Sequence, residues 1–154
     1  MRTSRQTLIA IEHAAVRSWP ALETADIDGW LWRFASGGSL RANSVATLGF
    51  TGASVEAAVA EVERRYGAKA APCRFTVSEV STPDDLDARL DRLGYARGED
   101  HVTMAKEVAS NATMPGDTET TADPTQEWMA VYLSGLGPNR REALAELDAP
   151  VVAD

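Results

Sequence analysis

Arg41, Asn43 and Arg74 are the side chains best suited to hold a polar small molecule, since each is a donor-rich group set within a stretch that alternates like a β-strand. Together they could line a cleft and hold a polar substrate. The plainer reading is that they are solvated, or hydrogen-bond neighbouring strands, with Arg41 lying over an aromatic ring. His13 beside Glu12, and His101 after Glu99-Asp100, offer His–carboxylate pairs, but adjacency in sequence is not geometry. Two distant histidines and the single Cys73 make no metal-ligand spacing. Cys73 alternates with apolar neighbours and reads as a small buried hydrophobe. Ser44 lacks the glycines of a nucleophile elbow.

The elements that would position these groups follow from periodicity. Thr3-x-x-Gln6 has the form of a capping box, and Leu8, Ile11, Ala15 and Trp19 recur at helical spacing until Pro20 stops them. Residues 27–35 alternate, with Trp30, Trp32 and Phe34 on one face and Leu31 and Arg33 on the other. Gly37-Gly38 marks a hairpin, with a return strand over 40–50. A two-residue turn would set Phe34 opposite Arg41 and Trp32 opposite Asn43; a longer loop would shift that register. Ser54 caps a second helix with the stripe Val55, Val59, Val62 and Tyr66, closed by Gly67.

Cys73, Phe75 and Val77 predict a third strand. Thr82-Pro83-Asp84-Asp85 predicts a helix start with proline in the first turn, and Leu86, Leu90 and Leu93 its buried stripe. His101–Val108 reads as a fourth strand. Residues 109–125 are polar and acidic and read as a linker. Residues 126–134 resume a helical pattern, 139–147 predict another short helix, and the ending APVVAD a strand barely begun.

The bulk numbers exclude some functions. The 154 residues suit one ordinary domain. A formal charge of −8 gives no basic footprint for nucleic acid, and Arg64-Arg65 pair best with Glu61 along their own helix. No apolar run is long enough for a membrane span. One cysteine fits a reducing cytoplasm, where the sequon at Asn111 would stay unused. An acidic surface weakly favours a cationic small molecule.

Helix, hairpin, helix, strand, helix ending in Leu-Gly-Tyr, strand: this order resembles the GNAT N-acyltransferases, and most closely the N-terminal half of a tandem GNAT protein. The residues that carry the resemblance are Trp19-Pro20, Asp28-Gly29-Trp30 with Leu31 and Arg33, Arg41-Ala42-Asn43-Ser44-Val45, Arg74-Phe75 and Leu93-Gly94-Tyr95. It implies an α/β (α+β) fold with a mostly antiparallel sheet flanked by helices. The domains would be 1–108 as a GNAT-like unit, 109–125 as linker and 126–154 as the opening of a second half that stops short. The activity implied is acetyl-CoA-dependent acyl transfer to a small-molecule amine, which attacks the thioester while a strand amide steadies the oxyanion.

Two features depart from the family pattern. The nearest string to its pyrophosphate loop, Arg64-Arg65-Tyr66-Gly67-Ala68-Lys69, has Lys69 where Gly or Ala belongs. It also ends a helix, where the dipole has the wrong sign for an anion. The position of the family's proton-donating tyrosine is Leu90. The resemblance therefore implies a non-catalytic half that shapes the acceptor pocket through Arg41, Asn43 and Arg74 and binds no acetyl-CoA itself. The alternative is a non-enzymatic GNAT-like binding module.

The face of Trp128, Met129, Tyr132 and Leu133 needs a cover, which predicts a homodimer. Light scattering over a dilution series is expected to show self-association. A strict monomer at high concentration would contradict the prediction.

Overall fold

A computed structural model describes residues 3–36, 39–98, 100–106, 116 and 121–135. Its described elements are α1 (Arg5–Arg17), β1 (Glu23–Ile27), β2 (Trp30–Phe34), β3 (Val45–Ala46), α2 (Val55–Ala68), β4 (Phe75–Thr76), α3 (Leu86–Arg92) and α4 (Gln126–Ser134). The strands form one sheet in the order β1-β2-β3-β4. The first two pairings are antiparallel and β3–β4 is parallel, crossing over through α2. The α+β class expected from the sequence is therefore the class of the protein.

The stretch 27–35 is not one strand. It is broken at Asp28-Gly29, both with positive φ (51° and 91°), and the residues before the break pair back as β1, Ile27 against Trp30 and Glu23 against Phe34. The alternation did place the faces correctly. Trp30 and Trp32 are buried on the side covered by α2, where Trp32 lies 5.4 Å from the Tyr66 ring and 6.1 Å from the Phe34 ring. Trp30 is fully buried, meets Phe50 at 4.8 Å and Phe75 at 5.8 Å, and donates its indole N–H to Thr82 O at 2.8 Å. The Trp32 indole N–H finds no acceptor among the described residues, so it is held by ring packing and by the Arg65 guanidinium, 5.7 Å from its ring centre.

The return strand is much shorter than the pattern suggested. Leu40–Asn43 turn, and only Val45–Ala46 joins the sheet, with Leu31 opposite Ala46. The Phe34–Arg41 and Trp32–Asn43 pairings are thus corrected by a longer connection; Gly37-Gly38 lie outside the described residues. Side chains stand in for the missing ladder. Arg33 Nε donates to Ser44 O at 3.1 Å, and the Asn43 amide oxygen accepts from Ala35 N at 2.8 Å.

α2 follows its expectation closely. Ser54 Oγ accepts from Ala57 N at 3.1 Å, and Val55, Val59, Val62 and Tyr66 are all buried. Arg65 Nε sits 2.7 Å from Glu61 Oε1. The helix runs past Gly67 to Ala68, and Ala70 takes the positive φ of 50°. α3 begins later than expected. The Thr82–Pro83 peptide is cis, so Pro83 is outside the helix, and Asp85 takes the cap position without a side-chain hydrogen bond. Leu86 and Leu90 are buried, but Leu93 is 48% exposed because the helix ends there and Gly94 turns the chain with φ 86°.

At α1 the cap is Ser4, not Thr3: Ser4 Oγ accepts from Thr7 N at 3.1 Å. Leu8 and Ile11 are half-buried, Ala15 is exposed and no residue of α1 is fully buried. Residues 101–106 form no strand, and Val102 and Met104 stand 87% and 90% exposed, because no described strand lies beside them to pair with. α4 forms as expected, with Trp128 stacked on Tyr132 at 5.2 Å and still 55% exposed. The expected helix at 139–147 and the closing strand lie outside the described residues, as does most of the linker.

The tightest point is the turn between β1 and β2. A Cβ on Gly29 would lie 2.0 Å from Gly49 O, a backbone atom with no side chain to yield. Gly29→Ala is expected to cost at least ~2 kcal/mol, from the positive φ and the clash together. Urea unfolding measures it, and an unchanged midpoint would refute the contact.

Candidate functional site

Two concavities lie at opposite ends of the β3–β4 pair. The first is an open groove of about 370 Å³ at the N-terminal ends of these strands, lined by Phe34, Ser39, Leu40, Asn43, Lys69, Pro72 and Arg74 among others. It brings together two of the three side chains singled out from the sequence. The third, Arg41, is exposed and does not line the groove.

The two groove residues differ in their commitments. Asn43 is buried, and its amide serves the backbone: besides accepting from Ala35 N, its Nδ2 donates to Ser39 O at 2.8 Å. Arg74 is half-buried, and among the described residues its guanidinium has no ion pair and no hydrogen bond. Its charge is felt by Tyr66. Lys69 was not anticipated as a groove residue, since it reads as the tail of a helix. Its ammonium is 2.5 Å from Glu23 Oε1 and 5.1 Å from the Phe34 ring centre.

The second hollow, about 460 Å³, is bounded by Arg5, Ile9, His13, Gly29, Leu48, Gly49, Val80 and Thr82. Arg5 is occupied there: it donates to Glu79 O at 3.4 Å and to Asp84 Oδ1 at 3.3 Å.

In a parallel β-α-β unit the loop after the first strand, here β3–α2, is the usual cradle for an anion. Here it is filled from within. Thr51 N donates to Asp28 O at 2.8 Å, and Phe50 N to Thr82 Oγ1 at 2.6 Å. A Cβ on Gly52 would meet Asp28 Oδ2 at 2.5 Å, so the Asp28 carboxylate already rests on the loop. Nothing in the sequence pattern announced this, since Asp28-Gly29 reads simply as a turn.

Several buried or half-buried polar groups lie outside the groove lining. Arg33 is 4% exposed, and its Nη2 donates to Ser44 Oγ at 3.1 Å; burial pulls its guanidinium below the ordinary arginine value. Tyr66 Oη donates to Arg33 O at 2.8 Å. Tyr95 Oη lies 2.8 Å from Glu63 Oε1 and 3.2 Å from Cys73 Sγ. Burial raises the Cys73 thiol, which makes it a poor nucleophile, and raises the Tyr95 hydroxyl as well. Among the described residues no group of His, Cys, Asp or Glu side chains is placed to hold a metal ion. No helix among them is long and apolar enough to cross a membrane.

Residues 6–151 match the family described as "Probable histone acetyltransferase Rv0428c C-terminal", and the chain belongs to that family. The curated relative "Probable histone acetyltransferase Rv0428c" of Mycobacterium tuberculosis (strain ATCC 25618 / H37Rv) is 49% identical over 39 residues. That stretch is 25% of this chain and 13% of the relative, so only a small part of the relative's length is matched. No solved structure matches the chain. The family description refers to a C-terminal region, which lends no support to the expected N-terminal placement.

Tyr66 gives the site a measurable pH signature. Burial, with a smaller contribution from Cys73, pushes its hydroxyl up to about 12, against opposing effects of Arg33 and Arg74. In the unfolded chain a tyrosine ionises near ~10. The folded state therefore keeps its proton longer, and the associated stability is present below ~10 and lost as pH rises toward 12. Tyr66→Phe is expected to flatten that alkaline slope while costing about 1 kcal/mol at neutral pH for the lost hydrogen bond. Urea midpoints from pH 8 upward test both effects, and an unchanged slope would contradict the assignment.

Proposed function

We propose that this chain is an acetyltransferase-like half of the GNAT type that shapes an acceptor pocket and leaves acetyl-CoA to another part of the protein. Family membership across residues 6–151 is the observation that carries the acetyltransferase-like reading. The α+β class and the turn at Gly94-Tyr95 after α3 are features the GNAT resemblance asks for and so support it; the β3–β4 pair is the parallel exception in the sheet. The division of labour is supported by the two ends of that pair. One carries an open groove with Asn43 and Arg74 on its wall; the other carries a loop whose amides are spent on Asp28 and Thr82.

In this reading the groove orients a small-molecule amine. Arg41, just outside the groove lining, adds positive charge at its approach. The thioester carbonyl and its oxyanion support come from the cofactor-bearing half. Leu90 is a hydrocarbon side chain with no proton to give the departing thiolate, and its burial leaves no room there for another donor. That burial favours a second reading, a GNAT-like module that binds without catalysing. The intact protein from its source separates the two: acetyl transfer to amines supports the first, and its absence with ligand binding retained supports the second.

For this chain by itself, calorimetric titration with acetyl-CoA is expected to give weak binding or none. A dissociation constant in the low micromolar range or below, about −8 kcal/mol, would overturn the assignment of cofactor binding to another part.

A further inference from the structure

The cation balance around the groove is uneven. The chain carries a net −8, yet among the described residues no acidic side chain lines the groove, and two cations do. One of them, Lys69, is neutralised by Glu23. The other, Arg74, is half-buried with no ion pair or hydrogen bond among the described residues. A partly desolvated guanidinium left unpaired is unfavourable, and a ligand carboxylate would relieve it through two parallel N–H···O bonds. The rest of the wall is mainly apolar, with Phe34, Leu40 and Pro72 its largest such residues and Ser36 and Ser39 uncharged, and it suits a hydrocarbon body rather than a second charge.

We propose that this groove binds a small monocarboxylate with an apolar body, anchored by Arg74. A carboxylate fits better than a phosphate ester. One uncommitted cation balances one negative charge, and the Asn43 amide is already engaged by Ala35 N and Ser39 O. The groove is too exposed for tight binding, so affinity should be modest and selectivity electrostatic. The opposite hollow offers no such anchor, since Arg5 is bound to Glu79 O and Asp84. Joined to the proposed function, the acceptor becomes an amine that also carries a carboxylate; this extension rests on that reading, whereas the binding itself does not.

The test is an NMR titration of the ¹⁵N-labelled chain with 3-phenylpropionate, its uncharged amide, and phenethyl phosphate. The carboxylate is expected to shift amides in 39–43 and 69–74, with the amide binding roughly ten-fold more weakly. Arg74→Gln should bring the acid down to the amide's affinity, while Arg17→Gln, an exposed change of equal charge outside the groove lining, should not. If Arg74→Gln fails to fold, the acid–amide difference on the unaltered chain decides. Equal binding of acid and amide, shifts confined elsewhere, or phosphate binding ten-fold tighter than carboxylate would each overturn the proposal. Carboxylate binding without acetyl transfer by the intact protein leaves the groove standing and removes the transferase reading. Transfer with no preference for carboxylate-bearing amines leaves the transferase reading and the groove's own binding standing and removes the extension that joins them.

Discussion

The buried guanidinium of Arg33 is the contact on which the central sheet depends. β2 and β3 share one paired position, Leu31 with Ala46. Beyond it, the Ser44 carbonyl would lack a partner in a largely dry setting. Arg33 supplies two donors, to Ser44 O and Ser44 Oγ, while its own carbonyl accepts the Tyr66 hydroxyl from α2. One residue thus ties the strand pair on one side and the helix on the other. Removing it would leave acceptors buried and unsatisfied, a heavier penalty than the loss of an exposed ion pair. The exposed pairs of α2 and α3, such as Arg64–Glu61 and Arg97–Asp87, contribute little by comparison.

A second layer of side-chain hydroxyls extends the same logic toward β4. Thr47 Oγ1 donates to Thr76 O at 2.7 Å and its carbonyl accepts from Thr82 N at 2.9 Å. Ser81 Oγ lies 2.8 Å from Thr47 Oγ1 and accepts from Ser78 N at 2.8 Å. These bonds keep β3 and β4 in register although each contributes only two residues to the ladder. The groove stays open at one end of this pair because Arg33 and Asn43, rather than a continued strand, finish the sheet there.

What the sequence showed and what it hid follow from the range of the interactions. The α2 stripe and its Ser54 cap were legible because both are set within a helix by spacing alone. The aromatic face of β2 was legible for the same reason, through its alternation. The break at Asp28-Gly29 was not, since β1 lacks a clear apolar pattern and its burial is confined mostly to Ile27. The short β3 was hidden because Leu40 to Phe50 alternates well enough to imitate a full strand. Side chains taking over backbone hydrogen bonds leave no periodic trace. Asn43 and Arg74 were identifiable as polar groups in apolar surroundings, but only tertiary geometry distinguishes the amide that is spent on backbone from the guanidinium that is not.

α1, like α4, has no buried residue, whereas α2 and α3 both bury apolar side chains. Its described polar attachments to the body run through Arg5 alone, and the Arg5–Asp84 pair is exposed on both sides. Amide hydrogens in α1 therefore exchange with solvent water through local openings, well before those of α2, whose opening requires breaking the Trp32–Tyr66 core. The molecule has two tiers of protection. Detachment of the outer tier would expose Ile9, Leu48 and Val80 while the tryptophan core stayed closed.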